Sequence, residues 1–220
     1  MGKIAAVFGA TGLVGSNLLK QLADDENYLK VLVFNRREQN YQNDKIEEII
    51  LDWSDTEFLK DRLIADDMFS CVGTTIKKAG SKEAFREVDY QIPVTLAQIA
   101  EHNKVKKLLV ISSIGADAKS KNFYLQTKGQ MEEDVLKYNI PKIHFLRPSM
   151  LLGKRDEFRI GEETGKFFMK IFNPLMFGAL RKYKAIPAGV VASAMLQTAN
   201  NDYSKIFFNS DELWNLAKNG

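Results

Sequence analysis

The most constraining feature of this chain is its N-terminal stretch Lys3–Gln21, where an apolar run, three glycines and an amphipathic pattern follow one another. Ile4–Phe8 is a short run of strand-forming residues, and Gly9, Gly12 and Gly15 come directly after it. A glycine turn between a strand and a helix can hold a phosphate, because free backbone N–H groups and the helix dipole face the anion. The stretch therefore predicts a pyrophosphate-binding turn, with an ordinary glycine-containing turn as the alternative. We expect the phosphate contacts to come from Gly9, Thr11, Gly12, Leu13, Val14 and Gly15.

A second strand is predicted at Lys30–Phe34, and it ends in Asn35, Arg36 and Arg37. In a dinucleotide-binding fold this strand end meets the adenosine ribose, where a carboxylate usually holds the 2′-hydroxyl of NAD. This strand end has two guanidinium groups instead of a carboxylate, and a guanidinium suits a 2′-phosphate. The pattern favours NADP(H) over NAD(H), with these three residues as contacts, and a solvated basic strand end is the alternative.

Composition narrows the classes of protein to which the chain can belong. Its 220 residues are 45% hydrophobic, which is enough for one well-packed domain. The net charge of +3 comes from basic residues that are spread rather than striped, so we expect no nucleic-acid partner. A single cysteine excludes an intrachain disulfide, and His102 and His144 lack metal-ligand spacing, so we expect no metal site. The chain shows neither a signal-peptide pattern nor a long apolar span, which predicts no integral membrane segment and a cytoplasmic location.

Strand and helix patterns alternate at short spacings along the chain. This alternation predicts a single domain over residues 1–220 with an α/β fold, a Rossmann-type doubly wound parallel sheet with helices on both faces. The long helical pattern at Lys82–Asn103 is expected to kink at Pro93. The other predicted strands are Ile46–Leu51, Met68–Val72, Val105–Ile111, Ile143–Leu146 and Lys205–Phe208, and the other predicted helices are Thr56–Leu63, Phe123–Tyr138, Ile186–Thr198 and Glu212–Lys218.

Residues that follow the third and fourth strands are candidate cofactor contacts, because ligands bind at the carboxyl edge of an open α/β sheet. Asp52 follows the third strand, and its carboxylate can accept a hydrogen bond from the adenine amino group, with Trp53 beside it. Alternatively, Asp52 caps the helix that follows. Small residues after the fourth strand let the backbone lie against the ribose and nicotinamide half of the cofactor, which adds Gly73, Thr74 and Thr75.

The pattern Tyr-x-x-x-Lys occurs three times, at Tyr41/Lys45, Tyr124/Lys128 and Tyr138/Lys142. The first pair lies in a predicted polar loop, and the third contains Pro141 and leads into a strand, so neither has helical spacing. Only Tyr124 and Lys128 fall in a predicted helix, shortly after a strand that ends in serines at the ligand-binding edge. They are the predicted catalytic pair, and an exposed helix pair without a role is the alternative.

The chemistry of this pair follows from charge. A lysine ammonium one turn away stabilises tyrosinate, which makes a phenol useful near neutral pH. Tyr124 can then protonate a carbonyl oxygen as hydride arrives from NADPH, while Lys128 also holds the nicotinamide ribose. Ser112 and Ser113 alternate across the strand, so only one of them can face the site. We predict Ser113, which is nearer the loop, as the catalytic hydroxyl that orients the substrate oxygen, and Ser112 as a cofactor contact.

The segment Glu162–Leu180 is rich in phenylalanine, leucine, isoleucine and methionine, with lysines between them. We expect it to cover the open end of the sheet as part of the substrate pocket. A homodimer contact and a membrane-surface helix are the alternatives.

Several motifs together carry a family resemblance. They are GATGLVGS at Gly9–Ser16, NRR at Asn35–Arg37, CVGTT at Cys71–Thr75, LLVISSIGAD at Leu108–Asp117, NFYLQTKGQMEE at Asn122–Glu133 and LRPSMLLGKR at Leu146–Arg155. In these motifs the chain resembles the atypical short-chain dehydrogenase/reductases, and within them the Tat-interacting-protein-like branch of NADPH-binding oxidoreductases. The resemblance covers nearly the whole chain.

This resemblance implies a Rossmann domain with bound NADP(H), and it puts Tyr124 and Lys128 in the catalytic positions. It also implies a core of about residues 1–150 and a small C-terminal substrate-side lobe of about residues 151–220. The chain departs from the family at one position, because many related dehydrogenases place an asparagine on the helix before the fifth strand and this chain has Asp89 in VDYQIP. The resemblance further places a turn near the nicotinamide, formed by Arg147, Pro148 and Ser149.

The sequence thus predicts an NADPH-dependent oxidoreductase that transfers hydride to a small carbonyl-type substrate. One alternative is an NADPH-occupied regulatory or binding protein with little turnover, which fits the association of eukaryotic family members with transport and transcription proteins. A nucleotide-dependent isomerase or epimerase is the other. The catalytic residues favour chemistry, since a sensor has no need of an acid such as Tyr124.

Overall fold

The computed structural model describes residues 2–53, 55–153 and 183–218. The strands of these residues are β1 (Lys3–Phe8), β2 (Tyr28–Asn35), β3 (Ile46–Ile50), β4 (Asp67–Ser70), β5 (Lys107–Ile111), β6 (Lys142–Arg147), β7 (Leu151–Leu152), β8 (Ile186–Pro187) and β9 (Phe207–Asn209). Seven of them form one sheet in the order β3-β2-β1-β4-β5-β6-β9, and every neighbouring pair is parallel. The order reverses between β1 and β4, which is where open α/β sheets bind their ligands. The predicted fold class is confirmed.

Helices cover both faces of this sheet. Leu18, Met195 and Leu213 belong to one buried apolar cluster, and Leu59, Leu96 and Met131 belong to a second. The side chains of β1 alternate between the two clusters, which is why its apolar run has no polar interruptions. The helices are α1 (Leu13–Asp24), α2 (Thr56–Arg62), α3 (Ile76–Ala79), α4 (Lys82–Arg86), α5 (Ile92–His102), α6 (Phe123–Val135), α7 (Ala188–Asn200) and α8 (Ser210–Lys218).

The predicted long helix Lys82–Asn103 is not one continuous α-helix. Its middle, Glu87–Gln91, is a π-helical turn between α4 and α5. This π-helical turn ends shortly before Pro93, which lies in the first turn of α5, and the kink at Pro93 stays a prediction. Such turns insert one extra residue into a helix and recur at functional sites.

The C-terminal part of the chain joins the main body of the fold. Helix α7 packs against α1, and β9 extends the main sheet beside β6. Residues 154–182 of the predicted substrate-side lobe, including the apolar segment Glu162–Leu180, lie outside the described residues. Across the described ranges, no helix is both long enough and apolar enough to cross a bilayer.

A buried polar network ties the amino edge of the sheet together. The Asp67 carboxylate accepts hydrogen bonds from the Tyr28 hydroxyl at 2.6 Å and from the Lys3 ammonium at 2.7 Å. The ammonium also donates to the Ala199 carbonyl at 3.2 Å, near the end of α7. Burial and the neighbouring Asp67 carboxylate both raise the pKa of Tyr28, so this phenol stays a hydrogen-bond donor at all physiological pH values.

We expect Asp67→Ala to lower the free energy of unfolding by about 3 kcal/mol, because it leaves a buried phenol and a largely buried ammonium without their shared acceptor. Urea denaturation measures the loss. Glu57→Gln is the control, since Glu57 pairs with Lys60 on the surface of α2 and its removal should cost less than about 0.5 kcal/mol. Equal effects of the two substitutions would contradict a structural role for the network.

Candidate active site

The turn after β1 is built on close backbone contacts that require glycine. Gly9 has a φ of +80°, and a Cβ there would lie 2.7 Å from the Cys71 carbonyl oxygen. A Cβ on Gly15 would lie 2.2 Å from the Gly9 carbonyl oxygen, so α1 can approach the turn this closely only without a side chain. No side chain caps the start of α1, and its first turn contains no acidic residue. The backbone N–H groups there are arranged as an anion-binding site requires.

The end of β2 has the two predicted arginines on an exposed loop. Arg36 and Arg37 are exposed, whereas Asn35 is buried. The Asn35 side-chain amide donates to the Glu48 carboxylate at 2.7 Å. The same carboxylate accepts from the backbone N–H groups of Gln39 and Asn40, so Glu48 folds the arginine loop back onto β3.

Glu48 was not anticipated from the sequence, because no local pattern links it to the loop. Partial burial acts to raise the pKa of Glu48, but the hydrogen bonds from Asn35, Gln39 and Asn40 outweigh it and hold the pKa below its usual value. The carboxylate is therefore ionised, and the loop stays anchored, throughout the neutral range.

Asp52 lies exposed after β3, and the Trp53 ring is half-buried against Phe8, with 6.0 Å between the ring centroids. The alternative assignment of Asp52 as a helix cap is wrong. Asp55 caps α2 instead, accepting a hydrogen bond from the Phe58 N–H at 2.9 Å.

One cavity lies where the turn after β1, the end of β4 and the start of α6 meet. The predicted residues among those that line it are Leu13, Val14, Gly73, Thr74, Ser112, Tyr124 and Lys128. Cys71, Val72, Asp89 and Ile111 complete the lining. The structure thus brings the predicted catalytic pair together with the first turn of α1 and the loop after β4.

Ser112 and Ser113 have different surroundings at the end of β5. Ser112 lines the cavity, and its buried Oγ has no hydrogen-bond partner among the described residues. Ser113 is outside the lining, and its Oγ donates to the Ile114 carbonyl at 3.3 Å. Of the two hydroxyls just after β5, only that of Ser112 belongs to the cavity lining.

Helix α6 presents Tyr124 and Lys128 one turn apart. The Asn122 side chain caps its start by accepting from the Leu125 N–H at 3.2 Å. The Tyr124 ring packs against Phe85, with ring centroids 5.6 Å apart. A Cβ on Gly129 would lie 2.1 Å from the Ala118 nitrogen, so the loop after Ser113 can rest on α6 only because residue 129 is glycine.

Lys128 is almost fully buried, and its ammonium lies 2.8 Å from the Asp89 carboxylate. It also donates to the Ile111 carbonyl at 3.4 Å. The second Asp89 oxygen accepts from the Thr74 N–H at 2.7 Å. Sequence reasoning flagged Asp89 only as a departure from the family, and the partnership with Lys128 was missed.

The turn after β6 makes structural contacts near the cavity. The Arg147 guanidinium forms a bidentate ion pair with the Glu132 carboxylate on α6 and lies over the Phe207 ring. The Pro148 carbonyl accepts from the Ile114 N–H at 3.0 Å, and the Ser149 N–H donates to the Ser210 hydroxyl at 2.6 Å. None of the three residues lines the cavity. Of the remaining predicted contacts, Thr11 is exposed and Thr75 caps α3.

Comparison with known proteins identifies the family. A family profile described as HIM1 matches residues 29–177. The chain belongs to the HIM1 family. A relative in Candida albicans, "Protein FMP52, mitochondrial", is 32% identical, over 96% of this chain and 96% of the relative. Rat "Protein HTATIP2" is 32% identical, over 88% of this chain and 80% of the relative. The predicted resemblance to the Tat-interacting-protein-like branch is confirmed.

Several solved structures have the same fold as this HIM1 protein. The Helicobacter pylori ADP-L-glycero-D-manno-heptose-6-epimerase has a TM-score of 0.68 at 20% identity, covering 99% of this chain and 82% of its own. The Lactococcus lactis oxidoreductase ylbE has a TM-score of 0.67 at 18% identity, covering 98% and 95%. MoeE5 in complex with UDP-glucuronic acid and NAD has a TM-score of 0.68 at 15% identity, covering 99% and 82%. At these identities the likeness shows the fold alone.

The predicted cytoplasmic location is contradicted by the names of the HIM1 relatives. The FMP52 proteins of Candida albicans and Eremothecium gossypii are both named mitochondrial. The prediction rested on the lack of a signal-peptide pattern and of a long apolar span, and the single cysteine adds only that a reducing compartment fits. A reduced cysteine fits any reducing compartment, and therefore does not separate the cytoplasm from an organelle interior.

Proposed function

We propose that this HIM1-family protein is an NADP(H)-dependent oxidoreductase of the short-chain type that acts on a carbonyl compound. The observation that supports the proposal most is the shared cavity, in which Ser112, Tyr124 and Lys128 lie beside the first turn of α1. The residues fit a nicotinamide dinucleotide in two ways. The glycine turn lets α1 start close to β1 with no side-chain cap on its first N–H groups, and the buried Ser112 hydroxyl of the cavity lining has no hydrogen-bond partner among the described residues.

In this proposal the reduced nicotinamide supplies hydride when it is bound. Ser112 donates a hydrogen bond to the substrate oxygen and orients it, taking the role predicted for Ser113 from sequence. Tyr124 donates its phenolic proton to that oxygen as negative charge develops on it. The Lys128 ammonium stabilises the tyrosinate that remains and holds the nicotinamide ribose.

We further propose NADP(H) as the cofactor, held at its 2′-phosphate by Arg36 and Arg37. Both guanidinium groups are exposed at the strand end where the adenosine ribose binds in this fold. Glu48 binds the loop before and after the two arginines, at Asn35 and Asn40. It belongs to β3, so it is not a carboxylate at the end of β2, where it would take the place of the ribose-binding acid of NAD sites. We also propose a mitochondrial location, on the names of the FMP52 relatives.

Replacing Arg36 and Arg37 together by alanine should weaken NADPH binding by about 10- to 100-fold, because the two exposed guanidinium groups together contribute about 1.5–3 kcal/mol to holding the 2′-phosphate. NADH has no 2′-phosphate, so its affinity should stay within about twofold. Fluorescence titration with both nucleotides measures the effect, and Arg62→Ala, at the exposed end of α2, is the control. Equal affinity of the unmodified protein for NADPH and NADH would defeat the cofactor proposal.

A further inference from the structure

The ion pair between Asp89 and Lys128 is the most deeply buried charge pair in the described part of the chain. The two side chains are 2% and 3% exposed, and the carboxylate and ammonium are 2.8 Å apart. An isolated ammonium at such a depth is strongly disfavoured, so a buried lysine without a counter-ion tends to lose its proton. Lys128 therefore depends on a carboxylate within contact distance for its charge.

Asp89 also connects two parts of the site. One carboxylate oxygen contacts Lys128 on α6, and the other accepts from the Thr74 N–H in the loop after β4. The π-helical turn Glu87–Gln91 holds Asp89 at this point, and an α-helical turn would rotate the residues after it by about 100°. A single carboxylate thus fixes the ammonium relative to the loop that lines the cavity.

The other charged groups that the structure describes around Lys128 are paired with different residues or exposed. Among the described residues of the cavity lining, the remaining titratable side chains are Tyr124 and Cys71, and Asp89 is the sole carboxylate. On α6, Glu132 pairs with Arg147, and Asp134 pairs with Lys137 and accepts from Tyr90. Across the helix contact, the Arg86 guanidinium donates to Gln130, and Glu87 is exposed on the π-helical turn beside Asp89.

We propose that Asp89 is a positioning residue for Lys128. The Asp89 carboxylate keeps the buried Lys128 ammonium charged and holds it beside the loop at Thr74. The consequence for catalysis rests on the proposed function, because only a charged Lys128 stabilises the Tyr124 anion. The ion pair itself is tested without any nucleotide.

The test is thermal unfolding of the nucleotide-free protein, compared with Asp89→Asn and with the double variant Asp89→Asn/Lys128→Met, between about pH 6 and pH 9.5. Asparagine keeps an oxygen for the Thr74 N–H and removes only the charge. At about pH 6 we expect Asp89→Asn to lower Tm by about 6–12 °C. The loss should shrink by about half near pH 9.5. In folded Asp89→Asn, the unpaired Lys128 gives up its proton at a lower pH than it does in the unfolded chain, so the stability of this variant rises with pH.

The double variant should recover much of the lost Tm at about pH 6, since no buried ammonium remains. Its difference in Tm from the unmodified protein should also be the same at every pH in this range. If Asp89→Asn fails to fold and the double variant folds, the proposal is supported. A loss of Tm that is the same at every pH, or that Lys128→Met does not relieve, would overturn it, as would failure of both variants to fold.

Asp134→Asn is the matched control, because it removes a carboxylate from α6 whose lysine partner, Lys137, is 74% exposed. Hydrogen bonds from Lys137 and Tyr90 lower the pKa of Asp134, so its contribution changes only in acid and should be constant over this range. A parallel titration with NADPH separates the two claims. Failure of the unmodified protein to bind would refute the proposed function, and the Tm result would still decide the role of Asp89.

Discussion

Replacing Tyr124 by phenylalanine should lower kcat/KM for carbonyl reduction by about 10²- to 10⁴-fold, which is the usual contribution of one positioned proton donor. Phenylalanine keeps the ring against Phe85 and removes only the hydroxyl, so the helix and the cavity should keep their shape. NADPH affinity should therefore change by less than about twofold. The measurement is NADPH oxidation with a panel of aldehydes, ketones and quinones, together with a fluorescence titration of the nucleotide.

Tyr138→Phe is the matched control, since Tyr138 belongs to another Tyr-x-x-x-Lys pattern. It follows the end of α6, and Lys142 begins β6, where its ammonium pairs with Asp202 at 2.9 Å. Its removal should leave turnover unchanged. If the protein binds NADPH tightly but Tyr124→Phe does not lower its turnover, the NADPH-binding regulatory protein would be favoured over the oxidoreductase.

Gly15→Ala should weaken NADPH binding by more than about tenfold and cost about 2 kcal/mol of stability, because its Cβ cannot coexist with the present turn. The methyl group would lie 2.2 Å from the Gly9 carbonyl oxygen, which is backbone and has no rotamer to change. Helix α1 must then move away from the turn, and its first N–H groups move with it. Nucleotide titration and urea denaturation measure the two losses.

Gly189→Ala provides the comparison for Gly15→Ala. Gly189 lies in the first turn of α7, and among the described residues a Cβ there would meet only the Asn17 side-chain oxygen, at 3.5 Å, an ordinary contact. Alanine is the better helix former, so this variant should be equally stable or up to about 1 kcal/mol more stable. Normal NADPH binding by Gly15→Ala would show that the close approach of α1 to the turn is not needed for the site.

Much of the fold was predictable, because central strands such as β1 and β5 are largely buried and read as continuous apolar runs. The run at Ile4–Phe8 and the run within β5 are examples, and their predicted positions agree with β1 and β5 to within two residues. The π-helical turn Glu87–Gln91 was not predictable, because its apolar spacing matches an α-helix and its wider geometry depends on contacts with α6. Pro93, the conspicuous residue in that region, lies in the first turn of α5 after the π-helical turn.

The site shows the same division between local and long-range information. The three Tyr-x-x-x-Lys patterns have the same spacing, and the local helical pattern around Tyr124 and Lys128 distinguished this pair, which does lie on α6. The choice between Ser112 and Ser113 depends on the backbone path just after β5, and proximity to the loop gave no guide to it. Asp89 lies far from Lys128 in the sequence, so no spacing rule pairs them.

The most direct test of the account is a crystal structure of the unmodified protein grown with NADPH. The account predicts the diphosphate against the N–H groups at the start of α1, the 2′-phosphate on Arg36 and Arg37, and the nicotinamide ring in the cavity beside Tyr124. A nucleotide bound elsewhere, or a nicotinamide ring directed away from that tyrosine, would contradict it.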